Sequence, residues 1–210
     1  MEGTRLRILE LLQKNSHDTV GGLATELGLA PATVRRHLDI LQRDRMVTFE
    51  EVRKKTGRPE YSFYLTEEGQ EAMPKGYDHL LRLLVEELGV LTSNELDGLG
   101  GQDVLEVVFG RLSAKLGMDN AANSESDSID DRKDALLGIL QSEDFVPEAA
   151  IIDGKLQIRL QNCPFRSVAM ANTAVCDFDA AVINASIGQE MTRIECIHDG
   201  DPACIYVQAE

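Results

Sequence analysis

The sequence predicts an α+β protein with a helix-rich N-terminal part and a mixed C-terminal part. Three observations predict this fold class. Residues 4–46 show three successive helical patterns, and the alternating pattern of a β-hairpin follows them. Residues 76–117 are leucine-rich and strongly helical in periodicity. Residues 132–210 mix helical and strand-like patterns, so we expect helices packed against a sheet there.

Composition indicates that the two parts have different functions. The chain has 210 residues and a formal net charge of -15, yet residues 1–70 hold equal numbers of basic and acidic side chains. All of the net negative charge therefore lies in residues 71–210. The charged N-terminus and the absence of any long uncharged apolar stretch predict a cytoplasmic protein without a signal peptide or membrane span.

The first three elements are predicted to be helices. Leucine and isoleucine recur at helical spacing over residues 4–14, and a second pattern over residues 19–30 ends at Gly28, a typical helix stop. A third helix is predicted over residues 31–46, because Pro31 suits a first helical turn. A glycine between the second and third helices is what a tight helix-turn-helix requires.

Residues 47–69 predict a hairpin whose turn, KKTGRP, is basic. Three helices followed by such a hairpin is the layout of a winged helix-turn-helix domain, in which the third helix enters the DNA major groove. Arginine can bond guanine or hold a phosphate, and basic groups at a flexible tip suit phosphate or minor-groove contact. The predicted DNA-binding residues are Thr33, Arg35, Arg36, Arg53, Lys54, Lys55 and Arg58.

The stretch LGLAPATVRRHLDILQRDRMVTFEEVRKKTGRPEYSFYLTEEG resembles the winged-helix repressors of the ArsR/DeoR type. The resemblance implies a homodimer that binds double-stranded DNA at a palindromic operator. The helix predicted over residues 76–97 is the candidate dimer contact, and packing within one chain is the alternative. Its candidate contact residues are Leu80, Leu84, Leu88 and Leu91.

The C-terminal part is predicted as a sensor domain after an acidic linker. Asp153-Gly154 is a favoured two-residue turn and predicts a hairpin. Residues 164–188 are helical in periodicity, and two short strands, EMTRIECI and ACIYVQ, flank the segment HDGDP. The expected domain organisation is a winged helix at 1–72, a helical dimerisation segment at 73–117, a linker at 118–131 and an α+β domain at 132–210.

Four cysteines are the candidate chemical groups of the C-terminal part. If HDGDP is a turn, Cys196 and Cys204 face each other on adjacent strands, with Ile194 and Tyr206 on the same face. Cys163 and Cys176 would lie about 20 Å apart along an unbroken helix, too far for one small cluster. Asn172-Thr173 is the only breaker between them.

The chemistry of the four thiols has several candidate forms. The gaps between them are 12, 19 and 7 residues, without the close pairs typical of structural zinc sites. Wide gaps favour an iron–sulfur cluster, which is larger and gathers thiolates from several elements. A zinc site, a thiol switch and buried inert cysteines are the alternatives.

The segments NCPFRSVAMANTAVCDF and IGQEMTRIECIHDGDPACIYV resemble the C-terminal half of the Suf-operon repressors, winged-helix regulators of cluster-assembly genes. The resemblance implies an iron–sulfur cluster, [4Fe-4S] or [2Fe-2S] with the former preferred, held by Cys163, Cys176 and Cys204, with Cys196 as the natural fourth ligand. His198 and Asp199 are the candidate replacements for Cys196. The function it implies is a repressor that senses iron or redox state.

An enzyme or electron carrier is the alternative from another class. The sequence shows no Ser-His-Asp set, phosphate loop or nucleotide fingerprint, so we expect a regulator without catalytic activity.

Overall fold

The computed structural model describes residues 3–53, 59–123 and 128–209. Its chain contacts divide it into two compact units, Met1–Pro74 and Lys75–Glu210. Helices and antiparallel sheets occur in both, which confirms the predicted α+β class.

In its described residues, the N-terminal unit consists of three helices, a hairpin and a short fourth helix, with a short strand that joins the sheet. The strand order is β1-β3-β2, and all pairings are antiparallel. The elements are α1 Thr4–Asn15, β1 Asp18–Thr19, α2 Val20–Leu27, α3 Pro31–Arg43, β2 Val47–Val52, β3 Glu60–Leu65 and α4 Glu67–Glu71.

Local signals set the start of α2 and the turn that joins it to α3, and at that turn Gly28 and Pro31 act as the sequence predicts. The Thr19 hydroxyl accepts a hydrogen bond from the Gly22 N–H and so caps the start of α2. Gly28 ends α2 with φ of 64°, in the left-handed region that favours glycine. Pro31 occupies the first turn of α3. The observed helix α2 is therefore shorter than the helix predicted over residues 19–30, because the last of those residues form this turn.

A compact apolar core fixes the orientation of α3. Every third or fourth residue of α3 points inward, so the opposite face of the helix is left for solvent. The largest fully buried side chains of this unit are Ile8, Leu9, Leu12, Leu23, Leu38 and Leu41.

The C-terminal unit packs helices against a four-stranded antiparallel sheet. The strand order is β4-β5-β7-β6. The elements are α5 Tyr77–Val90, α6 Ser93–Leu96, α7 Gly101–Asn123, α8 Ile129–Ser142, β4 Pro147–Ile152, β5 Lys155–Leu160, α9 Arg166–Ala171, α10 Ala174–Ile187, β6 Met191–Glu195, a 3-10 turn Ile197–Asp199 and β7 Cys204–Gln208.

The predicted turn between β4 and β5 is confirmed. Asp153 and Gly154 both have positive φ, 51° and 78°, as the favoured two-residue hairpin turn requires. The two strands pair from Pro147–Leu160 to Ile152–Lys155, so β5 continues directly into the segment that carries Cys163.

The start of the predicted linker at residue 118 is wrong. Helix α7 continues through Asn123, and α8 begins at Ile129. Residues 118–123 include two alanines and a methionine, which favour a helix. The polar residues among them therefore do not end α7. Only Ser128 of residues 124–128 is described, and its hydroxyl caps α8 by accepting from the Asp130 N–H.

The leucine stripe predicted for the dimer contact does not lie on one exposed face. Leu80 is 3% exposed and belongs to the core, whereas Leu88 is 50% exposed. Each step of four residues advances about 40° around a helix, so Leu88 lies about 80° from Leu80. Leu91 lies just beyond the end of α5. The apolar stripe that is exposed consists of Leu81, Val85 and Leu88.

Candidate nucleic-acid interface and candidate metal centre

The exposed face of α3 carries the predicted DNA-reading side chains. Thr33, Arg35 and Arg36 are all exposed, while Val34 and Leu38 on the opposite side are buried. The buried pair fixes the rotation of the helix, so both guanidinium groups point to solvent. This is the presentation that a recognition helix needs for base edges and phosphates.

A shallow depression beside α3 places Arg5, which the sequence pattern did not single out, next to predicted DNA-binding residues. It is lined by side chains of α1 and α3, among them Arg5, Thr33, Arg36 and His37. Arg5 lies at the start of α1, where the sequence alone does not show that it approaches α3. His37 is half-buried, and its Nδ1 has no hydrogen-bond partner among the described residues.

The predicted wing residues are described only in part. Arg53 is exposed and directly follows β2. Lys54, Lys55 and Arg58 lie outside the described residues, so their predicted role stays a prediction.

The four cysteines come from four separate segments and line one pocket. Cys163 lies between β5 and α9, and Cys176 lies in the first turn of α10. Cys196 follows β6, and Cys204 begins β7. All four thiols are free, and the Sγ atoms of Cys196 and Cys204 are 3.9 Å apart.

A break in the predicted helix brings Cys163 and Cys176 together. The helical segment after Cys163 is split into α9 and α10, and Asn172 between them is extended, with φ of -154° and ψ of 123°. The Asn172 side chain accepts a hydrogen bond from the Ala174 N–H at 2.9 Å, which starts the second helix. Asn172-Thr173 is therefore the breaker, and the long separation along one helix does not arise.

Hydrogen bonds to side-chain and backbone groups hold the Cys163 segment. Lys75 Nζ donates to Asn162 Oδ1 and to the Cys163 carbonyl, both at 3.2 Å. The Gly76 N–H donates to the Pro164 carbonyl at 3.1 Å, and the Ser167 N–H donates to the Tyr77 hydroxyl at 3.0 Å. We call residues 162–167 the cysteine loop. The loop is thus fastened to Lys75–Tyr77, at the beginning of α5.

The segment around Cys196 and Cys204 is a tight turn. The Cys196 N–H donates to the Asp201 carboxylate at 2.9 Å, and the Ile197 N–H donates to Cys204 Sγ at 3.4 Å. Gly200 has φ of 97°, which only glycine adopts readily. The prediction that the two thiols approach each other is confirmed.

The predicted shared face of this turn is partly wrong. Tyr206 is buried, but Ile194 is 59% exposed. The pairing of β6 with β7 shifts between Arg193 and Glu195, which leaves Ile194 as the extra residue of a bulge. A bulge reverses the alternation of side chains, so Ile194 and Cys196 do not point the same way.

Charged side chains surround the thiols. Arg193 Nη1 donates to the Cys176 carbonyl at 2.7 Å. Arg166 lines the pocket, and its buried Nε has no hydrogen-bond partner among the described residues. Asp179 also lines the pocket, although sequence reasoning did not select it. Its position one turn after Cys176 on α10 is the only sequence signal for it.

Burial disfavours the charged forms of these groups. It raises the pKa of Cys163 and of Cys176 to about 12, Asp179 adds to the effect at both thiols, and neighbouring thiols add to it at Cys176. Burial also raises the pKa of Cys204. It raises the pKa of Asp179 to about 8, against the opposing influence of Arg193. Without a bound cation, Cys163, Cys176 and Cys204 are therefore protonated at neutral pH.

The two candidate replacements for Cys196 differ in position. His198 lines the pocket, but its Nδ1 lies 3.0 Å from the Ala169 carbonyl. Asp199 does not line the pocket in the described part of the chain, and its N–H donates to the Cys196 carbonyl.

The pocket is narrow as it stands. Its cavity volume is about 10 Å³, room for about one water molecule. Within the described ranges, no group of three or more His, Cys, Asp or Glu side chains already has the geometry to hold a metal ion. A metal group would therefore have to spread the thiols apart.

Comparison with known proteins bears on the N-terminal unit. Residues 2–48 match the family described as "Bacterial regulatory protein, arsR family". No curated protein shows significant sequence similarity to the chain. None of the described helices is long and apolar enough to cross a membrane.

Solved structures give only loose similarity. A C30AH42A mutant of ZitR from Lactococcus lactis is 22% identical, with a TM-score of 0.29, over 55% of this chain and 75% of that one. PadR from Bacillus subtilis, in complex with operator DNA, is 17% identical, with a TM-score of 0.29, over 66% of this chain and 90% of that one. TM-scores this low support no inference about ligands.

The family match covers α1 to α3, the same elements that present Thr33, Arg35 and Arg36 to solvent. The N-terminal domain of the chain is therefore a winged helix-turn-helix of the arsR type, the DNA-binding domain of a transcriptional regulator.

Proposed function

We propose that this regulator is a homodimeric repressor that binds a palindromic operator and senses iron or redox state through an iron–sulfur cluster. Cys163, Cys176 and Cys204 would hold the cluster, with Cys196 as the fourth ligand. The observation that carries the proposal is the convergence of four thiols from four separate segments on one pocket.

The residues of the pocket fit such a group chemically. Thiolates are the preferred ligands of iron–sulfur clusters, and cluster–thiolate assemblies are anionic. The unpartnered Arg166 Nε and the nearby Arg193 guanidinium supply positive charge to meet that anion. The Ile197 N–H already donates a hydrogen bond to Cys204 Sγ. Hydrogen bonds of this type tune the redox potential of a metal site.

A bound cluster would supply a reversible electron couple and a centre that oxidants and iron shortage can remove. The protein's own part is to fasten the cysteine loop to the start of α5. Lys75, Gly76 and Tyr77 hold that loop by the hydrogen bonds described above. Lys75 follows directly on the winged-helix unit in sequence. A rearrangement of the cysteine loop would therefore displace Lys75 and the adjoining end of that unit's chain.

The dimer contact that we propose is the exposed stripe Leu81, Val85 and Leu88 on α5. Apolar side chains in a continuous exposed stripe are typical of surfaces that pair with another chain. A second copy satisfies the two-fold symmetry of a palindromic operator.

Replacement of the cysteines tests the cluster. We expect Cys163→Ser and Cys204→Ser to lose nearly all bound iron and sulfide in protein purified without oxygen. Cys196→Ser should lose part of the cluster, because Asp179 or His198 lies in the pocket to replace it. Operator affinity of the Cys163 and Cys204 variants should then equal that of cluster-free wild type.

Iron content equal to wild type in both the Cys163 and the Cys204 variants would refute the cluster site. Ser167→Ala is the matched control, since it changes an exposed side chain of the same loop and removes no thiol.

A zinc site is the second candidate, and the narrow pocket favours it. A single ion needs less room than a cluster, and four thiolates form a common tetrahedral zinc site. One equivalent of zinc without iron or sulfide, in protein purified without oxygen, would establish this alternative.

A further inference from the structure

A second cavity lies in the C-terminal unit, between α5, α7, α8 and α10. Its volume is about 140 Å³, and it is partly open to solvent. We call it the apolar cavity. Its walls are mainly hydrophobic and include Leu83, Leu116, Ile139, Phe165, Phe178 and Val182. A cavity of roughly 150 Å³ lined by such side chains is large enough for one benzene ring.

Three polar side chains of the described residues reach this cavity. His79, Glu143 and Asp179 line it, and His79 Nε2 lies 3.5 Å from the Glu143 carboxylate. Arg82 contacts His79 Nδ1 at 3.0 Å, so a neutral His79 accepts there and turns its Nε2–H toward Glu143. Glu143 is about one-third exposed, which leaves its carboxylate at the mouth of the cavity.

The charge at the cavity favours a cation. Glu143 is the residue that caps the C-terminus of α8, where the helix dipole is negative and favours positive groups. Burial raises the pKa of Asp179 to about 8, so at neutral pH it adds little charge and Glu143 is the carboxylate that would meet a cation. Apolar walls with a few convergent polar groups are the usual form of a small-molecule site.

We propose that the apolar cavity binds a small aromatic amine, with the ring between the helices and the ammonium group at Glu143. The cavity shares Phe145 and Asp179 with the cysteine pocket, so an occupant would touch side chains that also line the thiols. The proposal goes beyond metal sensing and holds whether or not the thiols carry a cluster.

The test is a calorimetric titration of the full-length chain with benzylamine and with benzyl alcohol, a neutral analogue of similar shape. We expect benzylamine to bind wild type about threefold more tightly than benzyl alcohol, the effect of a partly exposed ion pair. Glu143→Gln should remove that difference. Val182→Phe, which fills the cavity, should lower the affinity for benzylamine at least about tenfold.

Val52→Phe is the matched control, because Val52 is an exposed residue of β2 in the other unit. It should bind benzylamine as wild type does. The proposal is overturned if wild type does not bind benzylamine, if Val182→Phe binds it as tightly, or if the alcohol and the amine bind equally. The comparison of the two ligands on wild type requires no variant to fold.

Discussion

Single residues decide where the chemistry of this protein lies. On α3, the burial of Val34 and Leu38 turns Arg35 and Arg36 outward. In the C-terminal unit, the extended backbone of Asn172 ends α9 and returns the chain so that Cys176 meets Cys163. Each feature depends on one or two side chains rather than on the average character of the segment.

Arg36 is the residue-scale test of the DNA-binding face. We expect Arg36→Ala to weaken operator binding by about 1–3 kcal/mol, because a guanidinium that contacts a base or a phosphate is lost. Fluorescence anisotropy at several salt concentrations measures this. Arg7→Ala removes the same charge from an exposed position on α1 and should change affinity little. Equal losses in both variants would mean that α3 does not read DNA.

The residue patterns predicted the DNA-binding domain better than the cysteine pocket. Helical spacing, Gly28 and Pro31 are local signals, and the structure places the three helices where they indicate. The approach of Arg5 to α3 and of Asp179 to the thiols depends on tertiary packing, which local patterns do not contain. The bulge at Ile194 shifts the pairing of β6 with β7 by one residue and so reverses which side chains face inward after it. Regular alternation along the sequence does not predict this shift.

At the scale of elements, α5 has two apolar faces. Leu80 packs into the core of its own unit, and Leu81, Val85 and Leu88 are exposed on another side. Four-residue spacing of leucines suggested a single stripe because it ignores the drift of about 40° per step. The candidate dimer contact is therefore the face of α5 that carries Leu81, Val85 and Leu88, and not the face that carries Leu80.

The exposed stripe of α5 makes a direct prediction about assembly. We expect the double variant Leu81→Glu, Val85→Glu to be a monomer by light scattering, because two charges would lie within the proposed contact. Glutamates at the exposed Ile151 and Ile152 of β4 are the matched control and should leave the dimer intact. A wild-type monomer, or a dimeric stripe variant, would contradict the proposed contact.

At the scale of the whole molecule, the proposed signal passes through the junction at Lys75. Its ammonium group bonds the Cys163 carbonyl and Asn162, and it is the first residue after the winged-helix unit. Next to it, a Cβ added at Gly76 would lie 3.1 Å from Phe165 Cε1, so the chain approaches the cysteine loop closely there. Coupling between two sites requires such a contiguous physical connection or a shared equilibrium.

Lys75→Met is expected to weaken this coupling while the cluster is retained. The ratio of operator affinities with and without cluster should fall toward one, since allosteric couplings are typically about 1–3 kcal/mol and two hydrogen bonds of the route are lost. Iron content and operator titration on the same sample measure it. Lys115→Met, on the exposed side of α7, should keep the wild-type ratio. An unchanged ratio in the Lys75 variant would exclude this route.

The measurement that tests the central claim most directly is the visible absorption spectrum of the protein purified without oxygen, with iron and sulfide counts. If the four thiols hold a cluster, the protein is brown, contains iron and sulfide in equal amounts near two or four per chain, and loses its colour in air. A colourless protein without iron or sulfide, even after anaerobic reconstitution, would contradict the account.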